Sequence, residues 1–230
     1  MQRLEPWHGH CRLQFTTNDG GRTRHQGGCR APFKLLRAEA GDDGRCELPL
    51  LHTAGGLVGG DQLSIDLNLK AESRSLITSV AAQKVYGSVG RSRLNPDGAW
   101  SRQGVTCTLD DNSDLEWLPQ EMVLYADALF HQSLRVCLPE NASFLSAEIV
   151  RLGRTAAEER LNQGCWRSCL EIQRHGAESP RWELVDRLEL GGSSLTDCHG
   201  LAGAPVFGSL VWAAPKPLSP EAISMLLKDR

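Results

Sequence analysis

The chain has 230 residues, 40% of them apolar, with 25 Lys+Arg against 28 Asp+Glu and a formal net charge of −3. That balance excludes a nucleic-acid coat and a polybasic membrane anchor, both of which need a strong positive field. The apolar share excludes wholesale disorder and predicts one sizeable core, or two small ones.

Residues 1–12 mix Arg, Glu, Pro, Trp and His without an apolar run, and no later stretch approaches the roughly 18 apolar residues of a membrane span. A soluble, cytoplasmic protein without signal peptide or membrane contact is therefore expected. Further along, the apolar period is mostly two. Residues 62–69 read QLSIDLNL, with Leu63, Ile65, Leu67 and Leu69 alternating with polar residues, the pattern of a strand with one buried face. Similar runs at 8–15, 33–36, 47–51, 75–79, 104–109, 122–125, 134–138, 169–172, 181–190 and 205–212 predict further strands. Asn18-Asp19-Gly20-Gly21, Gly41-Asp42-Asp43-Gly44, Asn95-Pro96-Asp97-Gly98 and Gly191-Gly192 punctuate them as turns.

Tight turns between strands predict mainly antiparallel pairing. Two segments read as helices. Thr155 with Glu158 forms a capping box ahead of 156–161, and Ser219, Pro220 and Glu221 open a helix carrying Ile223, Leu226 and Leu227 on one face. The expectation is an all-β, mainly β fold, stacked and solenoid-like or a sandwich, with about two short helices. No composition shift, low-complexity tract or internal repeat marks a boundary, so residues 1–230 read as one domain.

Eight cysteines without Cys-x-x-Cys spacing, in a reducing compartment, predict buried thiols rather than disulfides or a zinc site. The block His52-Thr53-Ala54-Gly55-Gly56-Leu57-Val58-Gly59-Gly60-Asp61 lacks G-x-G-x-x-G. It also places Asp61 where a phosphate-binding loop needs Lys. It reads either as a doubly bent turn or as a functional loop. His8 and His10 share a strand face and, with Cys11, are the nearest approach to a metal cluster; a polar surface strand is the simpler reading. Asp61, Glu116, Glu148 and Asp186 lie in or beside apolar strand-like segments, with Lys84, Arg154 and Arg187 available as partners. Among the tryptophans, Trp117 and Trp212 sit in apolar runs and are expected in the core.

The glycine block resembles the urease accessory protein UreD (UreH) family. So do 76–88 (LITSVAAQKVYGS), 115–121 (LEWLPQE), 148–154 (EIVRLGR), 185–188 (VDRL) and 205–212, in family order across nearly the whole chain. The resemblance implies a mainly β, solenoid-like protein with two helices that is not an enzyme. It implies a scaffold, or metallochaperone component, that works with UreF, UreG and urease apoprotein to insert nickel, with UreG hydrolysing GTP. It further implies a possible homodimer within the accessory complex, no tightly bound cofactor, and transient Ni²⁺ passing Asp61, Glu148 and Asp186, with Lys84 and Glu116 in support.

Three departures stand out: Thr53-Ala54 in place of a Pro-containing entry, Gly87 where many relatives carry Arg, and no Trp/Arg/Pro-bearing tail after Arg230. The last is read as a shortened C-terminus. Two other classes remain open on the residues alone. One is a β-rich enzyme using Asp61, Glu148 and Asp186 as acid and base; the other is a carbohydrate- or protein-binding module.

Overall fold

A computed structural model describes residues 6–176 and 179–228. The expected end at Arg230 lies outside the described residues. Each period-two segment falls in a strand, and further strands that the alternation did not mark form at 23–30, 39–40, 83–85, 114–118 and 143–152; in chain order the first are β1 (His8–Thr17), β2 (Thr23–Arg30), β3 (Phe33–Leu35), β4 (Glu39–Ala40), β5 (Cys46–His52), β6 (Gln62–Leu69), β7 (Arg74–Ser79) and β8 (Gln83–Val85). There follow β9 (Ser101–Leu109), β10 (Asp114–Leu118), β11 (Met122–Leu124), β12 (Leu129–Pro139), β13 (Ser143–Leu152), β14 (Cys165–His175), β15 (Arg181–Leu190) and β16 (Val206–Ala213).

They build a seven-stranded sheet in the order β15-β14-β12-β9-β6-β1-β2 facing a nine-stranded one. In the second sheet β5, β7, β10, β13 and β16 lie side by side, β3 and β4 edge β5, and β8 and β11 continue the rungs begun by β7 and β10. Inward residues of both sheets, among them Phe15, Leu67, Phe130, Phe144 and Trp166, close one continuous core.

Pairing differs from expectation. Nine of the fourteen ladders among the described residues are parallel. The reason is where the turns lead. The tight turns after β6, β9 and β12 carry the chain across the gap between sheets, into β7, β10 and β13, not back along the same sheet. Each circuit lays one strand on each sheet beside its predecessor, so the chain coils as a solenoid. Antiparallel strands stand at the margins, namely β2 and β15 in one sheet and β3, β4 and β16 in the other.

The tight turns themselves stack. Glu72 (φ 64°) and Asn112 (φ 55°) take left-handed conformations, and the buried Ser73 and Ser113 hydroxyls donate to Lys70 O (2.5 Å) and Asp110 O (2.6 Å). Asp114 N donates to Ser73 O, and Ser143 N to Ser113 O, each at 3.0 Å. These turns are a structural repeat that the sequence reading missed, because 40 residues separate Ser73 from Ser113 but only 29 separate Ser113 from the equivalent Ala142. Arg174, 1% exposed, ends the stack. Its Nη1 donates to Pro139 O (2.7 Å), Glu140 O (3.2 Å) and Ala142 O (3.0 Å), its Nη2 to Ala214 O (3.3 Å), and its Nε to Glu183 Oε1 (2.6 Å).

Of the two expected helices, one forms. In α1 (Pro220–Leu227), Ser219 Oγ accepts from Ala222 N at 3.2 Å. The capping box at Thr155 yields only a 3-10 turn over Thr155–Ala157, because Glu158 turns left-handed (φ 57°) and Thr155 Oγ1 accepts from Arg151 Nη1 at 2.6 Å instead. No helix among the described residues is long and apolar enough to cross a membrane. All eight cysteines are free thiols, but only Cys11, Cys46 and Cys107 are buried, and Cys198 is exposed. Trp117 is in the core, while Trp212 is 53% exposed because its position on β16 points outward.

Candidate functional site

Along β12, the inward positions run Phe130, Gln132, Leu134, Val136; along β13 they run Phe144, Ser146, Glu148, Val150. Both apolar rows are interrupted where the sheets face each other. Gln132 lies in register with Gln103 on β9 and Ser168 on β14, and Glu148 with Ser209 on β16. These polar residues line a cavity of about 220 Å³ between the sheets, whose apolar walls include Ile65, Val105, Trp117 and Met122.

Within it, Gln132 Nε2 donates to Glu148 Oε2 (2.5 Å) and Ser168 Oγ (3.1 Å), and Ser209 Oγ donates to Glu148 Oε1 (3.3 Å). Burial pushes the Glu148 carboxyl above its usual range, these hydrogen bonds oppose the shift, and the nearby charge of Asp186 adds to it. Around Glu148 the carboxylate, the Gln132 amide and the Ser168 and Ser209 hydroxyls offer a cation oxygen ligands, and none of the hydrogen-bond partners in this group is a thiol or an imidazole. Ni²⁺, which stands high in the divalent affinity order, is held only loosely by such a set.

Asp186 occupies an inward position on the marginal strand β15 and is exposed, beside Glu148. Lys84, on β8, is exposed and also lines the cavity, as does His52 at the end of β5. Burial holds the His52 imidazole below its usual range, with the Asp61 charge pulling the other way.

Asp61 itself is 3% exposed and clamps the glycine block. Its Oδ1 accepts from Trp7 N and its Oδ2 from Val58 N, both at 2.9 Å. The block folds as a doubly bent turn, and His52, Gly55 and Gly56 within it also line the cavity. Gly55 and Gly56 have positive φ (74° and 151°), and a Cβ on Gly56 would meet Tyr86 and the Lys84 carbonyl oxygen at 2.7 and 2.8 Å. Gly87 abuts the Asp127 carboxylate, which Arg91 Nε holds at 2.6 Å, so a side chain there has no room without moving that pair.

The structure thus brings Glu148 and Lys84 to one cavity, leaves Asp186 outside its lining but close enough for its charge to act on Glu148, and does not place Asp61 in the lining. Glu116 is elsewhere, on the outer face of β10, where Arg45 Nη1 pairs with it at 2.6 Å. The cations expected beside the inward acids are engaged otherwise: Arg187 with Glu171 and Arg154 with Glu159. His8 and His10 lie on the outer face, His10 Nε2 is 3.0 Å from Asp66 Oδ2, and Cys11 points into the core. Among the described residues no three of His, Cys, Asp and Glu gather as a metal-holding group. Sequence reading missed Gln103, Gln132, Ser168 and Ser209. The available signal was Gln132 breaking the alternation Phe130, Leu134, Val136, just upstream of the run that was noticed.

Fold and cavity define a class: a coiled two-sheet β scaffold whose interior carries a short polar lane in apolar walls. The chain belongs to the UreD urease accessory protein family, which matches residues 8–230. It is 79% identical over 227 residues to the urease accessory protein UreD of Parasynechococcus marenigrum strain WH8102, covering 99% of this chain and 73% of that one. The UreD of Synechococcus sp. strain CC9605 is 69% identical over 99% of this chain and 73% of its own length. That of Prochlorococcus marinus strain NATL1A is 49% identical over 97% of this chain and 75% of its own. All carry the name of an accessory protein to an enzyme, not of an enzyme.

Proposed function

We propose that this chain, in the cytoplasm and together with UreF and UreG, helps load nickel into urease apoprotein, and that Ni²⁺ passes through it by way of the inter-sheet cavity. The observation that carries this reading is Glu148, a carboxylate turned inward between two sheets and held by Gln132 and Ser209. Its oxygens attract a divalent cation, and with amide and hydroxyl groups as their hydrogen-bond partners they release it again. Asp186 stands at the exposed margin beside Glu148, and Lys84 beside the cavity limits how much positive charge enters. Asp61 supports the site by fixing the turn behind His52.

The test is the nickel content of urease purified from cells that lack this chain or carry variants of it. Deletion should leave urease nickel-poor. Glu148→Ala, Lys84→Ala and Asp186→Ala should lower nickel content while UreF still copurifies, and Glu116→Ala should leave it unchanged. Normal nickel content after deletion would end the reading; loss of UreF copurification in the Glu148, Lys84 and Asp186 variants alike would replace the passage by a docking role.

A further inference from the structure

The outer faces of the two sheets differ in chemistry. On the nine-stranded sheet the outward residues of β13 and β16 include Leu145, Ile149, Leu210 and Trp212. The seven-stranded sheet presents charge instead. At one level of its ladders Arg102, His131 and Arg167 stand on adjacent strands. The next level brings Arg30 opposite His10 and ends at Arg187; the one after holds Arg12 and Arg135. These three levels carry six arginines against three carboxylates, Asp66, Glu171 and Glu189, an excess of three positive charges in a chain whose net charge is −3. The following level, from Gln14 and Asn68 to Gln173, is uncharged.

All three carboxylates are engaged: Asp66 by His10 (3.0 Å) and Arg12 (3.5 Å), Glu171 by Arg135 (2.8 Å) and Arg187 (2.7 Å), Glu189 by Arg167 (2.7 Å). Arg30 and Arg102 are exposed and have no ion pair among the described residues. The field is felt by His131, whose imidazole is held below its usual range by partial burial and then by Arg102 and Arg167. The middle of these levels, between Arg30 with His10 at one end and Arg187 at the other, is a lane of small residues, Ser64, Gly104 and Ser133, in register across three strands. At strand and residue spacings of about 4.8 and 3.3 Å, the charged area is about 29 Å across and 13 Å deep, the footprint of an extended chain of about eight residues.

We propose that this face docks an extended acidic segment of a protein partner, lying across the strands with its carboxylates on Arg30 and Arg102. Guanidinium forks match carboxylates two bonds at a time. A nucleic-acid duplex fits less well, since it brings a dense line of phosphates to a chain of net negative charge whose three charged levels here hold only two arginines without an ion pair among the described residues.

Fluorescence anisotropy of the whole chain with a labelled oligoglutamate peptide of about ten residues, at about 50 mM salt, tests this. The double variant Arg30→Glu, Arg102→Glu should weaken binding by about tenfold or more. A control double variant of equal charge change on the opposite sheet, Lys34→Glu with Arg151→Glu, should stay within about twofold. Unchanged urea midpoints establish that each variant is folded. No peptide binding by the parent chain, equal losses in both double variants, or tighter binding of a short DNA duplex with the same Arg30 and Arg102 dependence would each overturn the proposal.

Discussion

Glu148 is the residue on which cation handling and stability meet. Its carboxyl titrates above the usual glutamate range in the folded chain, so folding favours its protonated form. The sign follows: its contribution to stability is fully present below the ordinary glutamate pKa of about 4.3 and is lost as pH rises through the raised folded value. Glu148→Gln keeps the shape and removes the charge. It should therefore flatten the stability curve over that rise and leave the chain more stable than the parent at neutral pH, while lowering nickel delivery. Urea midpoints across the pH range, set beside urease nickel content, check both halves; a variant less stable at neutral pH would show that ionised Glu148 is a structural group. Glu148 was legible as an acid within an apolar strand-like segment, but not its inward direction, since Leu145, Ala147 and Ile149 make the opposite face as apolar as its own. Its partners were not, since Gln132 and Ser209 reach it from other strands, and sequence distance says nothing of register across a gap.

At the scale of elements, most strands were legible, though β2 and β13 were not among those expected, and their pairing was not. Alternation reports which face of a strand is buried but not which strand lies beside it. Turns that look like hairpin signals serve equally to close a coil. The capping box at Thr155 shows the same limit, since Thr155 accepts from Arg151, Glu158 turns left-handed and no helix grew. The turn stack supplies the prediction at this scale. Arg174 satisfies three carbonyls of the last turn and a fourth at Ala214, so it stands where another turn would otherwise continue the column. Arg174→Met should cost about 3–5 kcal/mol, because it strands those acceptors and the buried side of Glu183. Urea unfolding with an unchanged m-value measures it; a cost under about 1 kcal/mol would mean that water takes over the guanidinium's bonds.

Over the whole molecule, each face has its own chemistry: an arginine-rich outer surface, an apolar one, and a polar lane between the sheets. Composition averaged these away, so that a net charge of −3 described no surface of the protein. One feature of the architecture bears on more than a single copy. A stack of parallel rungs presents at each end the same ladder that joined its own rungs, and nothing in such a ladder distinguishes the next coil of the chain from the first coil of a neighbour. The strands that reverse direction at the margins, β2 and β15 in one sheet and β3, β4 and β16 in the other, end that equivalence. A chain cut after residue 176 would bare β13 and β14, and electron microscopy should then find filaments where the parent chain gives separate particles. The reversed strands act as a stop against polymerisation, keeping what would otherwise be a fibre-forming coil at the size of one molecule.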